Sequence, residues 1–119
     1  MKLLGIDYGT TSVKAALFDE NLQQSVCLSE DYTLKIKDDI VEFEAVKYWD
    51  ILEKLLGTVL KESKVDALSI DTQCETLILT DEFGNPVRDA IVWLDNRATK
   101  EAEIIEEHFG RQKVYEITG

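Results

Sequence analysis

The 119-residue sequence holds one proline, Pro86, one histidine, His108, and two cysteines, Cys27 and Cys74. Neither cysteine sits in a CxxC pair and one histidine cannot complete a Cys/His set, so no disulfide framework and no zinc site of that kind is expected. A single proline, with no repeat and no low-complexity stretch, marks no linker and no domain boundary. Basic residues are also scarce. Thirteen Lys and Arg stand against 24 Asp and Glu, a net charge of −11, and such a surface lacks the cations that neutralise nucleic-acid phosphates or an anionic membrane. The longest apolar runs, such as residues 90–94, fall far short of the roughly 20 residues a membrane helix needs. Met1-Lys2-Leu3 leads straight into a strand-like pattern rather than a secretory leader. The composition therefore predicts one soluble cytoplasmic domain with no nucleic-acid and no membrane partner. With 45% hydrophobic residues, a chain of this length buries roughly two thirds of the surface it exposes when unfolded.

Hydrophobic periodicity sets the elements. Leu3-Leu4-Gly5-Ile6-Asp7 is a short apolar run ended by Tyr8-Gly9-Thr10-Thr11-Ser12, and residues 13–19 resume with Val13, Ala15 and Leu17 on one face. Residues 24–35 alternate again, with Val26, Leu28, Tyr32 and Leu34 at even positions, so three antiparallel strands in sequence are predicted. From Glu44 to Glu62 the period lengthens. Ala45, Trp49, Leu52, Leu56, Val59 and Leu60 recur at three- and four-residue steps, which predicts an amphipathic helix with Trp49 in the core. Residues 65–71 read as a buried strand reached by a crossover, 76–80 and 90–93 as further apolar runs, and 81–86 as a reverse turn. Thr99–Phe109 reads as a second helix with Ala102, Ile105 and Phe109 inward. A meander followed by helix and strand is an α/β mixed sheet with flanking helices. Residues 110–119 read as the approach to another element, and truncation is expected.

Three segments carry candidate chemistry. Asp7 ends an apolar central strand, where a carboxylate needs a partner. The turn behind it suits phosphate: Gly9 allows close backbone approach, successive amides can face phosphate oxygens, and Thr10, Thr11 and Ser12 add hydroxyl donors. In this reading Asp7 holds a hydrated Mg2+ and Lys14 adds positive charge, while an ordinary turn explains the same small residues. The second segment, Asp71-Thr72-Gln73-Cys74-Glu75-Thr76, places polar groups at a strand end, where ligand sites form in open α/β folds. Gln73 and Glu75 are candidates for bonding substrate hydroxyls, and Cys74 for lining the pocket rather than for attack, since no histidine lies nearby in sequence. The third, Trp93-Leu94-Asp95-Asn96-Arg97, joins an aromatic face to polar side chains, which suits a sugar or polyol; helix capping by Asp95 or Asn96 is the plainer alternative.

Together these segments have a recognisable order. Gly5-Ile6-Asp7-Tyr8-Gly9-Thr10-Thr11-Ser12-Val13-Lys14 resembles the phosphate-binding opening of the FGGY family of carbohydrate kinases. Gln73-Cys74-Glu75-Thr76, Gly84-Asn85-Pro86 and Asn96-Arg97 resemble its substrate-binding region at nearly the same spacing, and Ile40-Val41-Glu42 before a Trp-containing helix fits as well. The resemblance implies a ribonuclease H-like, actin-like ATPase fold, of which residues 1–119 would be the first half of the first domain. It implies ATP and Mg2+ as cofactors, with Asp7 beside the metal and the residue 9–12 turn and Lys14 at the phosphates. Gln73, Cys74, Glu75, Trp93 and Asp95 would line the site of a small sugar or polyol, with a pentulose such as xylulose first and glycerol or another polyol next. Cys74 departs from the family's glycerol kinases, which carry Arg there, and a thiol cannot make the hydrogen-bond fork of a guanidinium. The family's catalytic base and adenosine site match no residue here, so the chain alone is expected to be inactive. It is also expected to self-associate through surfaces left uncovered, with a homodimer as one form. Two other readings of the same residues stay open: a ribonuclease H-type nuclease using Asp7 and Asp71, and a noncatalytic actin-like nucleotide-binding domain.

Overall fold

The computed structural model describes residues 1–62 and 64–119. Its first strands follow the alternating pattern closely. β1 (Leu3–Tyr8) pairs antiparallel with β2 (Ser12–Phe18), and β2 pairs antiparallel with β3 (Gln24–Asp31), giving the predicted meander. The expected long third strand ends at Asp31, and the chain then turns into a second, small sheet. In it β4 (Lys35–Lys37), β5 (Ile40–Phe43) and β7 (Ala90–Ile91) lie in the order β4-β5-β7.

Helix α1 (Ala45–Glu62) crosses from the small sheet to the large one. After it, β6 (Ala67–Thr72) runs parallel to β1 and completes a four-stranded mixed sheet in the order β3-β2-β1-β6. Two cores result. Leu4, Ile6, Val13, Ala15 and Leu17 from the sheet meet Leu52, Leu55 and Val59 of α1. At the other end Val41, Phe43, Ala45, Tyr48, Ala90 and Val92 pack together. The chain ends in α2 (Thr99–Phe109) and α3 (Arg111–Thr118), which pack on each other.

Four sequence expectations need correction. Trp49 is 63% exposed, and the inward stripe of α1 is Ala45, Tyr48, Leu52, Leu55 and Val59. Both stripes satisfy a 3.6-residue period. They differ by a small rotation, and the sheet takes the one led by Tyr48. The strand expected to be buried is an edge: Leu68 is 61% and Ile70 is 51% exposed, because β6 has a neighbour on one side only and α1 packs mainly on β2 and β3. Ile105 and Phe109 are exposed, and no residue of α2 is buried. Capping of α2 by Asp95 or Asn96 is also absent: the N-cap is Ala98, with no side-chain hydrogen bond. Residues 76–80 contribute isolated bridges to Ile91 and Pro86 rather than a regular strand. The 81–86 turn forms as predicted, Asp81 accepting from the Phe83 and Asn85 N–H groups with Gly84 at φ 86°. Among the described residues no helix is long and apolar enough to cross a membrane.

Candidate functional site

The site grows from the sheet register. Residues directly opposite on neighbouring strands share a face, and Asp7 of β1 lies opposite Lys14 of β2 and Asp71 of β6. Leu4 and Ile6 point at α1, so Asp7, one step out of phase with Ile6, faces the other side of the sheet, which α1 leaves open. There its carboxylate accepts from Lys14 Nζ at 3.2 Å, and both side chains are about half exposed, 48% for Lys14 and 47% for Asp7.

Immediately beyond Asp7 the chain reverses in a tight turn. Gly9 N–H donates to the Ser12 carbonyl at 2.9 Å. A Cβ on Gly9 would stand 3.2 Å from that carbonyl oxygen, so a side chain there would crowd the turn. Tyr32 fastens the turn from outside: its backbone N–H donates to the Thr11 carbonyl at 2.9 Å, and its hydroxyl donates to the Gly9 carbonyl.

The two other segments arrive against this turn. Where β6 ends, Gln73 N–H donates to the Tyr8 carbonyl at 2.7 Å. Glu75 is exposed and holds a left-handed backbone conformation, φ 67°. Such a conformation costs a non-glycine residue of order 1 kcal/mol or more and is concentrated at functional sites. Trp93 reaches across from the far side, its indole N–H donating to Thr10 Oγ1 at 3.1 Å and its backbone N–H to Thr76 Oγ1 at 3.4 Å. Thus Asp7, Lys14, the 9–12 turn, Gln73 and Trp93 converge, although Thr10 and Trp93 lie 83 residues apart in sequence. Cys74 sits in the same loop, its thiol donating to the Thr72 carbonyl at 3.9 Å.

Asp95 is placed differently. Its side chain is 3% exposed, and its oxygens accept from Val41 N–H at 2.6 Å and from the Arg97 guanidinium twice at 2.7 Å. Arg97 also donates to Glu42 at 2.7 Å, and Arg88 pairs with the same Glu42 oxygen. The guanidinium and the Val41 and Arg97 N–H groups hold the Asp95 carboxyl well below the usual carboxylate range. Reciprocally, Asp95 and then Glu42 hold Arg97 firmly charged. Asp95 thereby ties the loop carrying Trp93 to β5.

Sequence reasoning missed the aromatic layer beneath the site. Tyr8, Tyr32, Phe43 and Tyr48 pack with ring centroids 4.4 to 6.1 Å apart. Burial raises the phenols of Tyr8, Tyr32 and Tyr48 above their ordinary range, Tyr32 the most because Tyr48 adds to it. Tyrosine in such positions reads as packing, and nothing in the sequence spacing shows that the Tyr32 and Tyr48 hydroxyls meet at the Gln73 amide.

The model of the FGGY family of carbohydrate kinases, N-terminal domain, matches residues 2–119. The chain belongs to the FGGY family. A glycerol kinase from Marinomonas sp. (strain MWYL1) is 36% identical over 124 aligned positions, covering 98% of this chain and 25% of that protein. Gluconokinase from Bacillus subtilis is 31% identical over 123 positions, covering 98% of this chain and 24% of that protein. Among solved structures, ligand-bound xylulose kinase from Lactobacillus acidophilus superposes with a TM-score of 0.90 at 25% identity, covering 99% of this chain and 25% of that one. Plasmodium falciparum glycerol kinase with ADP gives 0.87 at 26% identity, covering 95% and 24%. The chain spans about a quarter of the length of the curated relatives it matches. The mixed sheet and its helices are those of the actin-like ATPase fold, and the family's reaction is phosphoryl transfer to an alcohol acceptor.

Proposed function

We propose that the protein carrying this chain transfers the γ-phosphoryl group of ATP, with Mg2+, to a hydroxyl of a small sugar or polyol, a pentulose such as xylulose first and glycerol or another polyol second. The carrying observation is the convergence of the turn with the 73–76 and 93 segments, joined by the Trp93 to Thr10 and Gln73 to Tyr8 hydrogen bonds. Phosphoryl transfer depends mainly on positioning and electrostatic stabilisation, so phosphate donors and acceptor contacts must share one rigid frame. In this reading residues 9–12 and Lys14 bind the phosphates, and Gln73, Cys74, Glu75 and Trp93 face the acceptor.

The donor set suits magnesium bound together with phosphate. Among the described residues no group of three or more His, Cys, Asp and Glu could hold a metal ion unaided. Mg2+ characteristically takes one or two carboxylates plus substrate phosphates and water, and Asp7, half exposed beside Asp71, offers that. Bound there, Mg2+ would neutralise charge on the transferring phosphates. No residue here is assigned as the base that receives the acceptor's proton.

The test is ADP release by the full reading frame carrying this chain, given Mg·ATP and a panel of glycerol, erythritol, xylulose, ribulose, ribitol, gluconate and fuculose, with the 119-residue chain as control. A substrate-dependent signal from the longer protein alone supports the reading and names the acceptor class. Nucleotide binding with no response to any acceptor favours the noncatalytic alternative, and cleavage of an RNA·DNA hybrid favours the nuclease.

A further inference from the structure

The residue 9–12 turn is held by a chain of hydrogen bonds that begins on the acceptor side. Gln73 Nε2 donates to Tyr48 Oη at 3.1 Å and to Tyr32 Oη at 3.4 Å. The two phenols pack edge to face, ring centroids 5.5 Å apart, and Tyr32 donates its own proton to the Gly9 carbonyl. The other end of Gln73 is unpaired. Its Oε1 is buried and accepts nothing, the one side-chain polar atom in that condition among the described residues. Buried acceptors are ordinarily satisfied, and an exception calls for an explanation. Gln73 also lines a cavity of about 420 Å³ together with Tyr8, Tyr48, Trp49, Thr72 and Thr76. A ligand entering that cavity would press on the side chain whose N–H groups set the two phenols and whose own acceptor is unpaired.

We infer that Gln73 and Tyr32 are positioning residues that couple the acceptor side of the cleft to the shape of the phosphate turn, through the path Gln73 amide, Tyr32 hydroxyl, Gly9 carbonyl, with Tyr48 bracing the amide from the other side. The inference rests on the kinase reading for its consequence but not for its existence. Tyr32 grips the turn at two points, the Thr11 and Gly9 carbonyls, so a shift of its ring moves the amides offered to phosphate. Gln73 is itself anchored by its backbone to Tyr8, which leaves its side chain as the movable member. Tyr8 adds a weaker tie, its hydroxyl donating to the Tyr48 carbonyl at 3.4 Å.

Coupling of this kind is measured by a double-mutant cycle. The full reading frame is compared with Tyr32→Phe, Gln73→Leu and the double variant by hydrogen exchange of the peptide spanning residues 8–13 and by Mg·ADP affinity. Each single variant is expected to speed exchange of the turn amides and weaken ADP binding by about three- to tenfold, the equivalent of one ordinary hydrogen bond. Gln73→Leu should add nothing once the Tyr32 hydroxyl is gone, and exchange in β2 and β3 beyond the turn should stay unchanged. Additive effects, an unaffected turn in Gln73→Leu, or loosening spread evenly across the sheet would each overturn the relay. If the unmodified protein binds no ADP, the kinase reading falls, and the exchange cycle alone decides the relay.

Discussion

Asp7→Ala in the full reading frame is expected to lower turnover with Mg·ATP and acceptor by about 10²- to 10³-fold, the usual loss when one preorganised electrostatic group is removed from a transfer site, while leaving thermal stability nearly unchanged. The two halves of this expectation have separate grounds. Asp7 faces the open side of the sheet beside Lys14 and next to the turn, so on the proposed reading the variant loses a carboxylate at the metal and leaves the lysine without its partner. Its contribution to the fold is that of an exposed ion pair, commonly 0 to about 1 kcal/mol. Steady-state kinetics alongside a thermal melt separates the two. A large drop in melting temperature with kinetics scaling to the folded fraction would make Asp7 a structural residue.

Asp95→Ala has the opposite profile. Its carboxylate is enclosed, accepts from Val41 N–H and twice from Arg97, and fixes the loop carrying Trp93 to β5. Breaking an enclosed charge pair by removing one member costs about 3 kcal/mol, equivalent to about 10 °C in a domain of this size. The remaining Glu42 partner of Arg97 limits the damage. The pH dependence has a definite sign. Because the folded carboxyl lies well below its ordinary value, the unfolded chain binds more protons as pH falls below about 4. The stability Asp95 contributes is fully present above that pH and is lost as pH falls toward the folded value. Urea melts at neutral pH and at acid pH should therefore show a gap between wild type and variant that narrows on acidification. A gap that is absent at neutral pH, or that widens in acid, contradicts this assignment.

These two aspartates show how far residue types alone reach. Both were read from the sequence as ligand-facing, and the difference between them is tertiary. Asp7 ends β1, and its position on the open face follows from strand alternation once β1 and β2 are paired. Asp95 is enclosed because β5, some 54 residues earlier, presents the Val41 N–H, and no local pattern carries that information. The meander, the crossover and the polar strand end after β6 were legible because period-2 alternation and turn residues are local signals. The inward face of α1 was misjudged by one residue, since Tyr48 and Trp49 fit the helical period equally and the small sheet decides between them. Burial of β6 and α2 was overestimated because apolar content states what a segment is able to cover, whereas exposure depends on which neighbour covers it. The tyrosine relay was invisible for the same reason: Tyr32 after β3, Tyr48 in α1 and Gln73 after β6 meet only in the folded chain.

The central claim, that one cleft joins a phosphate turn to a sugar or polyol acceptor, is tested most directly by following the phosphorus itself. Phosphorus NMR of the full reading frame with Mg·ATP and the responsive acceptor should show a new phosphomonoester resonance, coupled to acceptor protons and growing in step with ADP. ADP accompanied by inorganic phosphate alone, whichever acceptor is supplied, would contradict the account and leave an actin-like nucleotide hydrolase in its place.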